Sequence, residues 1–456
     1  MNTVKIHFLG ASGTVTGSKF YLETPELNIM IDCGMFQGLK ELREINWDPL
    51  PINANKIDVV LLTHGHLDHT GYLPRLVKEG FKGQVLGTAP TLAITRIILN
   101  DSAKIHEEEA ENANREGYSK HHPALPFYTV IEAKRVIGLF ESVEKDEWNK
   151  LSTNIKFRYR YNGHIIGATF IELDIFGKRF LFSGDVGRQE DLLLSAPEQP
   201  EWADYIFLES TYGNKNHPEE KVGEILISLV NKTIHQRGIL IIPSFAVERL
   251  QSLMYQLWLL YKKNSIPNIP IFIDSPMGNN VLSVFKQFPE WHKLSMKEYN
   301  AMCEHVSIVS SYKETWETID DPRPKIVIAG SGMVTGGRVL TYLKQTIDST
   351  KTSVLLVGYQ AEGTRGRLLL EGAHELKFFG KYYPVKAEIF HLESLSAHAD
   401  QTELLNWLKK IKNIPEKVFL IHGEPTALDA FRSKIRDEFK WHVHIPKLYE
   451  TVELMV

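Results

Sequence analysis

The sequence predicts an α/β protein in which one α/β unit is inserted into another. Up to about residue 207, short β-branched or alternating runs such as VKIHFLG, LNIMIDCG and KRFLFSGD are separated by Gly-rich turns, which indicates short strands. From about residue 213, compact apolar runs (GILIIPSF, PIFIDSP, PKIVIAGSG, SVLLVGYQ) alternate with long helical segments, as in a parallel sheet. The last part returns to the first rhythm with the strand KVFLIHGE. We therefore expect a first domain over residues 1–207 and 386–456, interrupted by a second over 208–385.

Helices are predicted where apolar residues recur at helical spacing or where good helix formers cluster. They are expected in DSAKIHEEEAENANREG, TVIEAKRVIGLFESV, AVERLQSLMYQLWLLYKK, RVLTYLKQ, TELLNWLKKIK and TALDAFRSKIRDEF. The first of these is strongly acidic and is interpreted as a solvated helix face. The others present an apolar face that a sheet can cover.

Composition narrows the class of protein. The 456 residues are 43% hydrophobic and 24% charged, ordinary values for a globular chain with a large core. The N-terminus MNTVKIHFLG lacks the basic flank and apolar stretch of a signal peptide, and no run approaches the roughly 18 apolar residues of a membrane span. We expect a cytoplasmic protein without a membrane partner.

Cysteine usage and charge restrict the chemistry. Cys33 and Cys303 are the only cysteines, too few for a disulfide framework or a thiolate metal site, so any metal must be held by His and carboxylate groups. The formal net charge of −4 argues against wholesale attraction to nucleic acid. A metal centre or a basic cleft can still supply local positive charge.

The strongest motif is the run His64-Gly65-His66-Leu67-Asp68-His69, which follows the apolar strand IDVVLL. His64 and His66 are two residues apart, so their side chains point the same way from an extended chain. Asp68 and His69 follow where the chain turns into a helix. Four ligand-type side chains in six residues at a strand end predict a zinc site.

Three further residues fit the same site, although each alone has an ordinary structural explanation. His164 lies between turn residues in YNGHIIGA, where a hydrogen-bonded structural His is common. Asp185 follows a strand in FLFSGDVG, where an Asp more often caps a helix or turn. His422 ends the strand in VFLIHGE. Ligand-type residues at the ends of several strands are what a metal site at a sheet edge requires.

Together these motifs resemble the metallo-β-lactamase superfamily. Glu209 in LEST, His398 in SAHAD and His422 in IHGE are similar to the additional motifs of its β-CASP branch of nucleases, as are IPSFAVERLQ, IAGSGMVTGG and VGYQAEGTRGR. The resemblance covers essentially the whole chain. It implies a metallo-β-lactamase αββα sandwich with an inserted β-CASP α/β domain, a parallel sheet flanked by helices.

The resemblance also implies a ligand set for two Zn²⁺ ions per chain. One ion would be held by His64, His66 and His164 and the other by Asp68, His69 and His422, with Asp185 bridging them. Asp32, in IDCG, matches the family's first motif and would orient the ligands from behind.

The implied activity is hydrolysis of RNA phosphodiester bonds by a two-metal-activated water, in a cleft between the two domains. His398 would act as general acid with Glu209 beside it, and Asp68 and Asp32 complete the catalytic residues. A His at the last motif, His422, is similar to the RNA-processing members and favours single-stranded RNA as substrate. Endonuclease action is favoured over exonuclease action, and a homodimer is left open.

Phosphate contacts are expected in the inserted domain. Gly330-Ser331-Gly332 lies between a strand and a helix, where backbone amides cradle phosphate. This loop and GYQAEGTRGR are predicted to end neighbouring strands. The candidate phosphate-binding residues are Ser331, Gly332, Arg338 and Arg365 in this domain, together with Ser396, which lies outside it, two residues before His398. One departure from the family pattern is Glu248 in AVERLQ, where Gly is expected.

Two other functions remain open. A hydrolase of small thioesters or lactones would use the same metal core, although the inserted domain and His398 argue against it. A catalytically silent RNA-binding subunit is the other alternative, although inactive relatives usually lose metal ligands and this chain keeps all seven.

Overall fold

The computed structural model describes residues 2–117, 119 and 121–456. The chain divides into two compact units. Unit 1 consists of Met1–Asn216 and His398–Val456, and unit 2 of His217–Ala397. Among the described residues, no helix combines the length and apolar character needed to cross a membrane.

The described residues of the first segment of unit 1 form eleven strands and five α-helices. In chain order they are β1 (Thr3–Phe8), β2 (Phe20–Glu23), β3 (Asn28–Ile31), α1 (Lys40–Ile45), β4 (Val59–Leu61), α2 (Leu67–Thr70), α3 (Leu73–Lys78), β5 (Gln84–Gly87), α4 (Ala89–Glu116), α5 (Val130–Ile137), β6 (Phe140–Ser142), β7 (Asn149–Lys150), β8 (Ile155–Tyr161), β9 (Thr169–Ile175), β10 (Lys178–Phe182) and β11 (Tyr205–Glu209). The acidic segment expected to be helical is the second half of α4. This helix starts at the Thr88 side-chain cap and ends at Gly117, which is left-handed.

Unit 2 follows β11 and contains eight strands and seven helices. They are α6 (Val222–His235), β12 (Ile239–Pro243), α7 (Arg249–Lys262), β13 (Ile271–Asp274), α8 (Pro276–Gln287), α9 (Met296–Glu304), β14 (Ser307–Ile308), α10 (Tyr312–Asp320), β15 (Lys325–Ala329), α11 (Val339–Thr346), β16 (Thr352–Val357), α12 (Arg365–Leu370), β17 (Glu375–Phe378), β18 (Lys381–Pro384) and β19 (Glu388–Leu392). The second segment of unit 1 adds α13 (Gln401–Leu408), β20 (Lys417–Ile421), α14 (Pro425–Phe439), β21 (Val443–His444) and β22 (Thr451–Met455).

Unit 1 is built on two seven-stranded sheets. The first has the order β22-β1-β2-β3-β4-β5-β6 and the second the order β21-β20-β11-β10-β9-β8-β7. Both chain segments contribute to both sheets, because β22 pairs antiparallel with β1 and β20 pairs parallel with β11. The end strand β22 was not predicted from the sequence.

Four layers follow from where unit 1 buries its apolar side chains. One core lies between the sheets and joins residues of both, such as Ile6 and Leu61 with Phe157 and Phe207. A second core packs the outer face of the first sheet against α3, α4 and α5. A third packs the outer face of the second sheet against α13 and α14, with Trp407 fully buried. Unit 1 is therefore an αββα sandwich, as expected.

Unit 2 contains a six-stranded sheet of order β14-β13-β15-β12-β16-β19, parallel throughout, and the separate hairpin β17-β18. The strands β12, β15 and β16 are completely buried, which explains their continuous apolar sequences. One expectation is wrong: the two Gly-rich loops do not end neighbouring strands, because β12 lies between β15 and β16. Strand order depends on crossovers that hydrophobic runs do not encode.

Candidate metal centre and active site

Most of the predicted site residues of unit 1 lie at the carboxyl ends of five strands, two in the first sheet and three in the second. Asp32 follows β3, the HGH motif follows β4, and these strands are parallel neighbours. Asp185 follows β10, Glu209 ends β11 and His422 follows β20, which are also consecutive parallel neighbours. The carboxyl ends of parallel neighbours lie at one edge of a sheet, so residues distant in sequence meet there.

Close backbone packing fixes the segment that carries Asp68 and His69. The amide of Cys33 donates to the His69 carbonyl at 2.7 Å, and the Ser18 amide donates to the Asp68 carbonyl at 2.8 Å. Gly34 makes this approach feasible, because a Cβ on it would lie 1.5 Å from the Asp68 carbonyl oxygen. The loop after β3 therefore holds α2 by its main chain.

The first group of ligand atoms comes from His64, His66, His164 and Asp185, all within 4.8 Å of one another. His66 Nδ1 lies 3.1 Å from His64 Nε2 and 3.2 Å from His164 Nε2. Asp185 Oδ2 lies 3.4 Å from His64 Nε2 and 3.5 Å from His164 Nε2. His64, His164 and Asp185 are almost completely buried.

The second group comes from Asp68, His69 and His422. Asp68 Oδ2 lies 3.4 Å from His422 Nε2 and 3.9 Å from His69 Nε2. The other oxygen of Asp185 faces this group, with Oδ1 at 3.3 Å from His69 Nε2. The two oxygens of one carboxylate thus face two separate ligand groups, the arrangement expected of a bridging ligand.

The donor atoms fit zinc. Four ligands placed tetrahedrally at about 2.0–2.1 Å from Zn²⁺ lie about 3.3 Å from each other, and four of the six separations in the first group are 3.1 to 3.5 Å, with all six below 4.8 Å. Asp185 Oδ1 is buried, and its nearest polar contacts are His69 Nε2 at 3.3 Å and His422 Nδ1 at 3.6 Å, both of them candidate ligand residues. Imidazole and carboxylate without thiolate is also a common zinc donor set.

The electrostatic environment favours a bound cation. Burial lowers the pKa of His64 well below its ordinary value and that of His66 to about 4, so both stay neutral as metal ligands must. Burial also acts on His69, but Asp185 and Asp32 outweigh it and raise its pKa well above the ordinary value. The carboxylates around His69 thus attract positive charge, which a metal ion would supply.

Asp32 and Thr63 hold two of the histidines from behind. Asp32 Oδ2 lies 2.7 Å from His69 Nδ1 and accepts from the Thr63 hydroxyl at 2.8 Å, while Oδ1 accepts from the Thr63 amide at 2.8 Å. Thr63 Oγ1 is in turn 3.0 Å from His64 Nδ1. These contacts leave the Nε2 atoms of both histidines directed at the ligand groups.

His398 and Glu209 form a pair beside the first ligand group. His398 Nδ1 lies 3.1 Å from Glu209 Oε1, and the ring centroids of His398 and His164 are 4.5 Å apart. Glu209 is fully buried and accepts from the amides of Val186 and Thr211. Burial lowers the pKa of His398, but the charge and hydrogen bond of Glu209 outweigh it and raise the pKa above its ordinary value.

Asp185, Glu209 and His398 also lie close together, with one possible ligand atom of each within 4.8 Å of the others, so they could form a third metal site. Their hydrogen bonds argue against that use, since Glu209 Oε1 and Oε2 already accept from main-chain amides and His398 Nδ1 faces the same carboxylate. The side chain of His398 is 18% exposed, whereas Glu209 is not exposed at all. The pair therefore resembles an oriented proton donor more than a metal site.

The predicted phosphate-binding residues all lie in unit 2. Ser331 accepts from the amides of Thr335 and Gly336 within its own loop. Arg365 donates to carbonyl groups of the same loop, at Val334 and Thr335. The carbonyl of Gly332 accepts from Gln360, and Ser396 is buried in the segment after β19.

Arg338, the remaining phosphate candidate, is engaged inside unit 2. Its Nη1 lies 3.4 Å from Asp274 Oδ1 and donates to the Thr315 hydroxyl, and its guanidinium stacks on Tyr312 at 3.8 Å. Glu248, the departure from the expected Gly, has φ 66° and ψ −57°, and the Arg249 amide donates to the Val247 carbonyl across it. This is a γ-turn with positive φ, a backbone conformation that Gly adopts more readily than Glu.

Sequence reasoning missed the threonines that support the ligands. Thr63 contacts Asp32 and His64, and Thr211 Oγ1 lies 3.1 Å from His422 Nδ1. Both residues are part of motifs already noted, LLTHGH and LEST, and a hydroxyl next to a ligand at a strand end was the available signal. Ser18, whose hydroxyl lies 3.4 Å from His69 Nε2, gave no comparable signal.

An αββα sandwich with two His and Asp ligand groups at its sheet edge defines a metal-dependent hydrolase of the metallo-β-lactamase type. Family comparison agrees along the chain. Residues 13–211 match the metallo-β-lactamase superfamily, 250–369 the Beta-Casp domain and 382–446 the Zn-dependent metallo-hydrolase RNA specificity domain. The chain belongs to the β-CASP ribonuclease family, and the resemblance predicted from its motifs is confirmed.

Individual relatives are similar to this chain over nearly its whole length. Ribonuclease TTHA0252 of Thermus thermophilus is 32% identical over 428 residues, covering 92% of this chain and 93% of that protein. The RNase J-like protein of Methanocaldococcus jannaschii is 29% identical, with 97% and 98% covered. Transcription termination factor FttA of the same organism is 28% identical, with 99% and 72% covered. A crystal structure of a protein of unknown function from Enterococcus faecalis V583, at 12% identity and TM-score 0.55, shares the fold.

Proposed function

We propose that this protein is a zinc-dependent ribonuclease that hydrolyses phosphodiester bonds in single-stranded RNA with two metal ions. The observation that carries the proposal is the position of Asp185, whose two oxygens face two separate ligand groups. The names of the relatives, a ribonuclease and an RNase J-like protein, support RNA as the substrate class. Endonuclease action remains our preferred mode.

The ligand residues would be used as the motifs imply. His64, His66 and His164 would hold one zinc ion, Asp68, His69 and His422 the other, and Asp185 would bridge them. Bound zinc would supply Lewis acidity, activating water and balancing the negative charge that develops on the phosphate. Asp32 would keep His69 in the tautomer that offers Nε2.

His398 would protonate the leaving alkoxide. Because its Nδ1 faces the buried Glu209 carboxylate, its Nε2 is the atom left to carry the proton toward a substrate. Glu209 favours the charged imidazole, which is the acid form, and its contacts with the Val186 and Thr211 amides fix its position. The two residues are 189 positions apart in the chain, and the fold brings them into contact.

The first experiment is cleavage of RNA. Zinc-loaded protein is incubated with an unstructured RNA labelled at either end, and product lengths are read on a sequencing gel. Discrete internal fragments support endonuclease action, and single nucleotides would replace it with exonuclease action. No cleavage by protein that retains its zinc would overturn the ribonuclease proposal in favour of a silent RNA-binding subunit.

A second experiment tests the acid. His398→Ala should retain zinc, measured by mass spectrometry, and lose RNA cleavage by about 10²- to 10⁴-fold, the usual contribution of general acid catalysis. His444→Ala is the matched control, because this His pairs with Glu450 and takes no part in either ligand group. Cleavage by His398→Ala at the wild-type rate would exclude the acid role.

A further inference from the structure

The hairpin β17-β18 of unit 2 has an inner side that anchors it and an outer side with different chemistry. The strands pair antiparallel, with Phe378 opposite Lys381, and Phe379 and Gly380 form the two-residue loop between them. On the inner side, Leu376 and Phe378 are buried in the core of unit 2. The hairpin is therefore held firmly without any help from its outer residues.

The outer side presents two aromatic rings to solvent. Phe379 is 65% exposed and Tyr382 is 62% exposed. A lysine amine lies over each ring: Lys344 Nζ is 5.7 Å from the Phe379 centroid, and Lys377 Nζ is 5.4 Å from the Tyr382 centroid. Exposed aromatic rings with cations beside them are the combination on which single-stranded nucleic acids stack.

The charges on this surface are not balanced locally. Lys344 and Lys377, the lysines beside the two rings, form no ion pair with any residue in the described part of the chain. The hairpin sequence ELKFFGKYYP contains a single acidic residue, Glu375. A chain with a net charge of −4 therefore keeps a small positive surface here.

The backbone at Phe379 is unfavourable for the residue that occupies it. The φ angles of Phe379 and Gly380 are 47° and 82°, and two positive values in a two-residue hairpin loop are the pattern of a type I′ turn. Asn, Asp and Gly fill such positions at little cost, whereas a bulky residue is strained. Phe379 gains no burial in return, and retained strain of this kind is typical of functional positions.

We infer that Phe379, Tyr382, Lys344 and Lys377, here called the hairpin platform, bind single-stranded RNA. Unpaired bases would stack on the two rings, and the lysines would contact the phosphates between them. Stacking requires bases that are not paired, which selects single strands over duplexes. The inference rests on the proposed function, because it extends the RNA-binding surface of the enzyme beyond the metal centre.

The direct test is RNA affinity. A fluorescein-labelled, unstructured RNA of about 30 nucleotides is titrated with zinc-loaded full-length protein, in a His398→Ala background to prevent cleavage. Phe379→Asn combined with Tyr382→Thr should raise Kd by about tenfold or more, the loss expected when stacking on aromatic rings is removed. Asn suits the turn, so thermal melting separates loss of binding from loss of folding.

The matched control is Trp316→Gln. Trp316 lies on α10 of the same unit and is 45% exposed, but no lysine or arginine stacks on it. This variant should bind RNA like the parent protein. Unchanged affinity in the Phe379 and Tyr382 variant, or an equal loss in the Trp316 variant, would overturn the inference.

A second measurement isolates the lysines. Replacing Lys344 and Lys377 by Gln should reduce the slope of log K against log salt concentration by about 1.4, at roughly 0.7 per phosphate contact in single strands. An unchanged slope would overturn the phosphate contacts. If the variants instead change the sedimentation coefficient of the protein in the absence of RNA, the surface is an interface between copies of the chain and the inference is wrong.

Steady-state cleavage separates this inference from the proposed function. In protein with intact His398, the platform variants should raise KM for the long RNA more than they lower kcat. Wild-type protein that fails to cleave RNA would refute the proposed function. Wild-type cleavage combined with unchanged KM in the variants would refute the platform alone.

Discussion

The contact between Asp32 and His69 can be tested by replacing one carboxylate oxygen of Asp32 with an NH₂ group. Asp32→Asn keeps the shape of the side chain but replaces one acceptor oxygen with an NH₂ donor. The Thr63 amide must keep an acceptor, so the new Oδ1 stays opposite it and the NH₂ group takes the position of Oδ2. That position is 2.7 Å from His69 Nδ1, which must then accept a hydrogen bond.

The consequence reaches the ligand atom of His69. When Nδ1 accepts, the imidazole proton moves to Nε2, the atom that faces Asp185 and Asp68. A protonated Nε2 cannot bind a metal. Loss of such supporting contacts typically weakens metal affinity by 10- to 100-fold, or about 1.4–2.8 kcal/mol.

The assay is competition with a chelator of known affinity, followed by mass spectrometry of the bound metal. We expect zinc to be released at lower chelator concentration than from the wild type, because His69 loses its acceptor directly and His64 is affected through Thr63. Asp204→Asn is the control, because it removes the same charge from unit 1 at a residue that contacts Arg179 and Lys178 rather than a ligand. Release of zinc from Asp32→Asn at the same chelator concentration as from the wild type would refute the tautomer argument.

Three further changes test the site and the fold. Asp185→Asn should remove zinc from both positions, and metal analysis that finds both ions retained would contradict the bridging role. Gly34→Ala should lower the melting temperature and the affinity for the ion held by Asp68 and His69, because the new Cβ would overlap the Asp68 carbonyl; a crystal structure with α2 unmoved would contradict this. His106→Phe should make the free energy of unfolding depend less on pH below neutrality. Burial lowers the pKa of His106 to about 4, so between pH 6.5 and pH 4 the imidazole is protonated in the unfolded state but stays neutral in the folded state. Wild-type stability should therefore fall by up to about 2 kcal/mol more than that of the variant between pH 7 and pH 5, measured by denaturant unfolding.

The positions of the candidate ligand residues could be predicted from the sequence better than their surroundings. His64, His66, Asp68 and His69 are adjacent in the chain, and strand ends are readable from apolar runs followed by turns. The structure places His164, Asp185 and His422 with them, in the two ligand groups. The roles of these residues remain predictions until metal is measured.

What could not be predicted depends on long-range pairing. Strand β22 is short and half exposed, so it carries no clear pattern, and its position is fixed by pairing with β1. The order of β15, β12 and β16 is set by helix crossovers rather than by local sequence. Thr63 and Thr211 were missed because a threonine gains its role only when the fold brings it to a histidine nitrogen.

The division of unit 1 between two segments has a consequence for protein synthesis. His64 to Glu209 are translated before unit 2, whereas His398 and His422 are translated after it. The second ligand group lacks His422, and the proton donor is absent, until β20 has added to β11. A nascent chain near messenger RNA on the ribosome therefore holds an incomplete centre, and the nuclease we propose would become active only after the second segment has folded.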